Sequence, residues 1–76
     1  MAYNDSRNPL RALQRKIGSE ITVRLKDRTQ YVGKLKEYDG YLNIVMTDTK
    51  QTKDGQDIGT HSEIFIRGNN VLFVIP

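Results

Sequence analysis

Apolar residues recur with one period near the start of the chain and another from Glu20 onward. Leu10, Leu13 and Ile17 stand at helical spacing, with Arg11, Arg15 and Lys16 elsewhere around the axis, which predicts a short amphipathic helix over about residues 8–17. Both ends carry signals: Asn8 is a good N-cap, Pro9 fits the first helical position, and Gly18 supplies the left-handed residue that ends many helices. So short a helix is expected to act as a lid over one open end of a small barrel.

Beyond Glu20 the residues alternate. Ile21, Val23 and Leu25 are interleaved with Thr22, Arg24 and Lys26, as in a strand with one buried face. Asp27 and Arg28 sit where a tight hairpin turn is expected, and a second strand begins near Thr29. In it Tyr31, Gly33 and Leu35 share a face, while Tyr38 is out of phase. A glycine inside a strand marks a sharp bend or a close backbone approach, and the phase slip beyond it implies strong curvature. Asp39 and Gly40 form the next turn, and Leu42, Ile44 and Met46 place the inner face of a third strand. Residues 50–59, KQTKDGQDIG, are polar and without period, which predicts a variable loop or long hairpin tip. A fourth strand is expected over about 60–67 with Ile64 and Ile66 inward. Gly68 and Asn69 then turn the chain into VLFVI, residues 71–75. That strand is apolar on both faces, an aggregation hazard at a sheet edge unless a neighbouring subunit covers it.

Length and composition narrow the possibilities further. A chain of 76 residues makes a single domain that buries only roughly 60% of its unfolded surface, so disulfides, a metal or a partner commonly complete the fold. Cysteine is absent and His61 is the lone histidine, which leaves no disulfide, no recognisable zinc site and no expected cofactor. Self-association is therefore the leading source of added stability. Catalysis fails on inventory, since there is no cysteine nucleophile, no phosphate-cradling glycine loop and no histidine with a matching serine and acid. No apolar stretch approaches the roughly 20 residues of a membrane span, and MAYNDSRNPL lacks a signal-peptide core, so a cytoplasmic location is expected. Twelve basic and nine acidic residues give a net charge of +3, which suits a polyanionic partner without demanding one.

Two segments carry a resemblance. Residues 21–49, ITVRLKDRTQYVGKLKEYDGYLNIVMTDT, resemble the first motif of the Sm-like (LSm) family, with its strand glycine at Gly33 and its Asp-x-aromatic-x-Asn core at Asp39, Tyr41 and Asn43. Residues 64–76, IFIRGNNVLFVIP, resemble the second, an Ile-Arg-Gly followed by Asn and an apolar strand. The resemblance implies a short helix followed by five strongly bent antiparallel strands, a small SH3-like barrel. It also implies rings in which the fourth strand of one subunit, here 60–67, pairs with the fifth of the next, here 71–75. The Arg67-Gly68 pair resembles the archaeal and eukaryotic branch, whose rings are usually seven-membered, and a homo-oligomer like the archaeal members is the simpler expectation. Such a ring is expected to hold uridine-rich single-stranded RNA around its pore, in RNA processing or as an RNP core, with protein partners possible on the ring faces. The alternatives are a ring scaffold with little RNA binding, or an unrelated oligonucleotide-binding barrel.

Carried over position by position, the family's nucleotide pocket falls on Tyr41, Asn43 and Arg67, with Asp39, Gly68 and Asn69 beside them. The chemistry suits that role: a base can lie between an aromatic face and a planar guanidinium while an amide reads its edge. Each residue also has a plainer explanation. Tyr41 could be an ordinary strand tyrosine, Asn43 could bond a neighbouring loop backbone, Arg67 could pair with Asp39, and Lys34 and Lys36 could form a solvated strand face. The chain departs from the family pattern at Arg28, where a turn glycine is frequent, at Tyr41, where some members carry histidine, and at Asn69, often an aspartate.

Overall fold

The alternation read along the sequence reappears as alternation in burial. In a computed structural model that describes residues 9–76, Ile21 and Val23 are buried while Thr22 and Arg24 are only half-buried. The elements are α1 (Pro9–Gln14), β1 (Glu20–Leu25), β2 (Thr29–Tyr38), β3 (Ile44–Lys53), β4 (Gln56–Ile66), a short 3-10 turn (Gly68–Asn70) and β5 (Val71–Ile75). All strand pairings are antiparallel, in the order β4-β3-β2-β1-β5. This is the expected helix and five-stranded sheet.

The curvature can be located. Leu13 of α1, Ile21, Val23, Tyr31, Leu35, Ile44, Met46 and Ile66 form one buried cluster, and Val71 and Val74 pack against it. Because β4 and β5 are opposite edges of the sheet, their residues meet in one core only if the sheet curls around it. In β2 the register with β3 shifts between Val32 and Lys34 and again between Leu35 and Glu37. Each shift increases local twist and bends the strand. The second one accounts for the phase of Tyr38. At the first, a Cβ on Gly33 would stand 2.7 Å from Thr49 Oγ1 and 2.8 Å from Thr49 Cα, so only glycine lets β3 approach this closely.

Several elements differ from the sequence reading. The helix ends at Gln14 rather than at residue 17, because the following chain leaves to pair with β2. Gly18 (φ 84) donates its N–H to the Leu35 carbonyl at 2.7 Å, the Leu35 N–H returns to Ser19 at 3.0 Å, and Ile17 bridges Leu35 with 51% of its surface exposed. Asn8, the expected N-cap, lies outside the described residues. Of the two forms expected for residues 50–59, a loop or a long hairpin tip, the structure has the hairpin tip. β3 and β4 continue through them, turning only at Asp54 and Gly55, both left-handed (φ 51 and 81), as a two-residue type I′ hairpin requires. Polar residues occupy both faces there because both are solvated. Leu42 and Asn43 precede β3 instead of belonging to it, and β4 begins at Gln56 and ends at Ile66, before Arg67.

Lys34 and Lys36 do lie exposed, facing Asp48 at 3.8 Å and Glu63 at 2.8 Å. Such solvated pairs add little stability. The stabilising weight lies with the buried side chains, each contributing about 1.5 to 3 kcal/mol when fully removed from water.

Candidate functional site

The connection between β2 and β3 is organised by one carboxylate. An aspartate two residues before a backbone N–H can close an Asx turn, and Asp39 does so with Tyr41 while also holding Asn43, four residues on. Its Oδ1 accepts from the Tyr41 N–H at 2.8 Å and the Asn43 N–H at 3.1 Å, while Oδ2 accepts from Asn43 Nδ2 at 2.9 Å. Backbone bonds complete the turn: Asp39 N–H to the Asn43 carbonyl and Leu42 N–H to the Asp39 carbonyl, both at 3.1 Å. Leu42 adopts φ 60, a left-handed conformation for which its side-chain type gives no signal. The Asp39 carboxyl is held below its ordinary range, chiefly by the Asn43 side-chain bond, which outweighs the opposing desolvation, with the Tyr41 and Asn43 backbone N–H groups adding to the lowering.

A second loop meets the first. Asn43 Oδ1 accepts the Gly68 N–H at 2.8 Å, so the amide is bonded at both ends. Gly68 is also where the two loops touch most closely, since a Cβ there would overlap the Tyr41 carbonyl. The 3-10 turn is fixed in its own right by Asn70 N–H to the Arg67 carbonyl at 3.1 Å and by Lys26 N–H to the Asn70 carbonyl at 3.0 Å.

The structure therefore brings Asp39, Tyr41, Asn43 and Gly68 into direct contact and sets Arg67 and Asn69 on either side of Gly68. Tyr41 is 84% exposed, which removes the plainer explanation of a half-buried strand tyrosine. Arg67 is also exposed. Among the described residues no ion pair joins it to Asp39, whose oxygens are occupied from within their own turn. Nor does any hydrogen bond link Arg67 to the Asn69 side chain there. The plainer role for Asn43, bonding a loop backbone, is present, and it leaves part of the amide free. His61 stands inside β4 opposite Thr49, with Nε2 2.7 Å from Gln51 Oε1. Among the described residues no cluster of histidine and carboxylate side chains could hold a metal, and no helix is long and apolar enough to cross a membrane.

A short helix ahead of a strongly bent five-stranded sheet, with two loops clasped through an Asn-Gly bond, defines a small β protein of the Sm type. Comparison with known proteins identifies the family. The model of the LSM domain matches residues 11–76. A U6 snRNA-associated Sm-like protein LSm6 from Debaryomyces hansenii is 47% identical over 76% of this chain and 68% of its own length. A putative snRNP Sm-like protein from Methanosarcina acetivorans is 35% identical over 90% and 94%. Among solved structures, the Pyrococcus abyssii Sm protein in complex with a uridine heptamer superposes with a TM-score of 0.86 at 35% identity, covering 91% of this chain and 97% of that one. A heptameric archaeal Sm protein gives 0.79 at 32%, over 87% and 96%. The chain belongs to the LSM domain family, a family of non-enzymatic proteins.

Proposed function

We propose that this chain is a subunit of an RNA-binding ring that holds uridine-rich single strands around a central pore, in RNA processing or as the core of a ribonucleoprotein. The observation that carries it is the Asn43 amide, clamped between Asp39 and Gly68 at 2.9 and 2.8 Å, in two loops that also carry the exposed residues Tyr41 and Arg67. Tyr41 and Arg67 supply stacking surfaces, worth about 1 to 3 kcal/mol per base. Asn43 supplies the edge contact.

The ring is supported by the sheet edges. Among the described residues β4 and β5 have no partner on their outer sides, and Phe65, Leu72, Phe73 and Ile75 are 45 to 61% exposed. Pairing residues 60–66 of one subunit with 71–75 of the next satisfies both edges and covers these side chains. Repeated pockets then engage one strand together, so modest sites add up to tight binding through effective concentration. A ring of identical subunits, seven by analogy with the heptameric archaeal protein, is the simplest assembly.

Native mass spectrometry followed by titration with oligouridine and oligocytidine of equal length tests the proposal. One closed oligomer is expected, with oligouridine bound more tightly and its affinity falling as salt rises. A folded monomer at micromolar concentration, or a ring indifferent to every short RNA, overturns it.

A further inference from the structure

The helix α1 is too short to hold its shape by itself. It spans six residues, and isolated helices of fewer than roughly 12 to 15 residues are marginal in water. Tertiary contacts keep it. Leu13 sinks into the core with 2% of its surface exposed, and the Leu10 carbonyl accepts a hydrogen bond from the Tyr38 hydroxyl at 2.7 Å. Tyr38 also packs against the buried cluster, but a phenylalanine would do that equally well. The hydroxyl is therefore there for the helix.

The place of Tyr38 in the chain gives this bond a second consequence. Tyr38 is the last residue of β2 and is followed directly by Asp39, which closes the turn carrying Tyr41 and Asn43. The ladder between β2 and β3 slips between Leu35 and Glu37, and beyond the slip it holds only through Glu37 with Val45 and Tyr38 with Ile44. On the other side, β1 pairs with β2 no further than Lys34. The chain after α1 takes over at Leu35 alone, where the Gly18 N–H meets the Leu35 carbonyl and the Leu35 N–H meets the Ser19 carbonyl. Among the described residues, the Tyr38 hydroxyl is thus the one hydrogen bond from residues 37 and 38 to an element other than β3. A tyrosine side chain has few torsions, so its hydroxyl cannot follow a departing carbonyl without moving its own backbone.

We infer that α1 is a positioning element for the base-binding turn, coupled to it by the Tyr38 hydroxyl, so that docking of the helix and order in the turn rise and fall together. The inference rests on the RNA-binding proposal and adds a remote element to its site. Coupling of this kind is reciprocal. A strand held at Tyr41 and Asn43 restrains the turn, keeps Tyr38 in place and so holds the Leu10 carbonyl. An undocked helix releases Tyr38 and loosens the turn. The size of the effect is bounded by the bond that transmits it, and the net contribution of one hydrogen bond corresponds to about 2- to 12-fold in an equilibrium constant.

Hydrogen exchange of the assembled protein, with and without a saturating uridine heptamer, tests the coupling in the parent and in Tyr38→Phe. In the parent the heptamer should slow exchange of the Arg15 and Lys16 amides, which bond back to the Arg11 and Leu13 carbonyls, by about 2- to 12-fold. In Tyr38→Phe, with ring mass and β1 exchange unchanged, the same amides should exchange faster and no longer respond to the heptamer. Heptamer affinity should fall by no more than the same factor per occupied pocket. A hydroxyl that only stabilises the fold would raise basal exchange and leave the response intact. Equal slowing in both proteins overturns the inference, since the strand then acts on the helix without the hydroxyl. A parent helix indifferent to a bound heptamer also overturns it and leaves the RNA-binding proposal standing. If the heptamer does not bind the parent, both fall.

Discussion

Asn43 and Gly68, 25 residues apart, are joined by a 2.8 Å hydrogen bond from the glycine N–H to the asparagine Oδ1. Through it the turn after β2 and the turn before β5 become one unit, and the same asparagine reaches back to Asp39 at 2.9 Å. Orientation of the amide is thus a tertiary property, requiring both loops to be in place.

Gly68→Ala should damage this unit more than its small size suggests. The added Cβ overlaps the Tyr41 carbonyl, so the loops must separate, at a cost of about 1 to 3 kcal/mol. Gly40→Ala in the first loop is the control, because nothing lies within 4 Å of a Cβ there, and a change within about 0.5 kcal/mol is expected. Urea denaturation compares the two, and titration should show a narrowed preference for oligouridine over oligocytidine in the Gly68 variant alone. Equal midpoints for both variants would show that the loops accommodate the methyl freely.

The strands were legible wherever one face is buried. Ile21, Val23, Leu35, Ile44 and Met46 were read correctly because a half-buried strand imposes its period on the sequence. Gly33 announced a close approach, though not that Thr49 would be its neighbour. In residues 50–59 the sequence leaves loop and hairpin tip undistinguished, because a hairpin solvated on both faces has no apolar period and only the Asp54-Gly55 turn signal remains. Ile17 misled: its spacing fits a helix, yet it pairs with Leu35 across the chain. At the site, the residue types pointed to base recognition, but the clamp on Asn43 depends on a loop distant in sequence and had no local signature.

The Asp39 carboxylate should make stability depend on pH in one direction. Its pKa is lower in the folded protein than the ordinary value of 3.8. The stability it contributes is therefore fully present above the unfolded-state value and is lost as pH falls through the folded one. Denaturation midpoints of the parent and of Asp39→Ala should differ by a constant amount from pH 8 to about pH 5 and converge below about pH 4. A difference that grows on acidification would contradict the assigned hydrogen bonds.

Asn43→Asp creates a specific conflict. A carboxylate oxygen replaces Nδ2 beside Asp39 Oδ2, where the present separation is 2.9 Å, and two carboxylates so close cannot both ionise easily. Assembly should survive, because the strand edges are untouched. Oligouridine binding at pH 7.5 should weaken by about 5- to 150-fold per pocket, the cost of an unpaired polar partner. Lowering the pH toward 5 should restore part of it, as the carboxyl pair takes up a proton and regains a donor. Asn43→Ala, with no proton to gain, should show no such recovery, and matching pH profiles for the two variants would rule out the carboxyl pair as the cause.

The edge strands divide the residues of β5 between the subunit's own fold and its neighbour. Val71 and Val74 pack against the internal core, whereas Leu72, Phe73 and Ile75 are 59, 45 and 55% exposed. A charge at Val74 would therefore disturb the fold itself, and a charge at Leu72 would disturb only what covers it. Leu72→Glu places a carboxylate where pairing with the next subunit removes water, a cost of several kcal/mol for an unpaired ion. Repetition at every junction of a closed ring compounds the penalty. Native mass spectrometry of Leu72→Glu should show small species in place of the closed oligomer, while Lys26→Glu, a charge change at the β1–β2 turn, should leave the ring intact. Far-ultraviolet circular dichroism then separates assembly from folding, since a subunit with a small core and two open edges is expected to lose strand structure as the ring dissociates on dilution. A Leu72→Glu ring of unchanged mass would show that the neighbour does not pack on this side of β5.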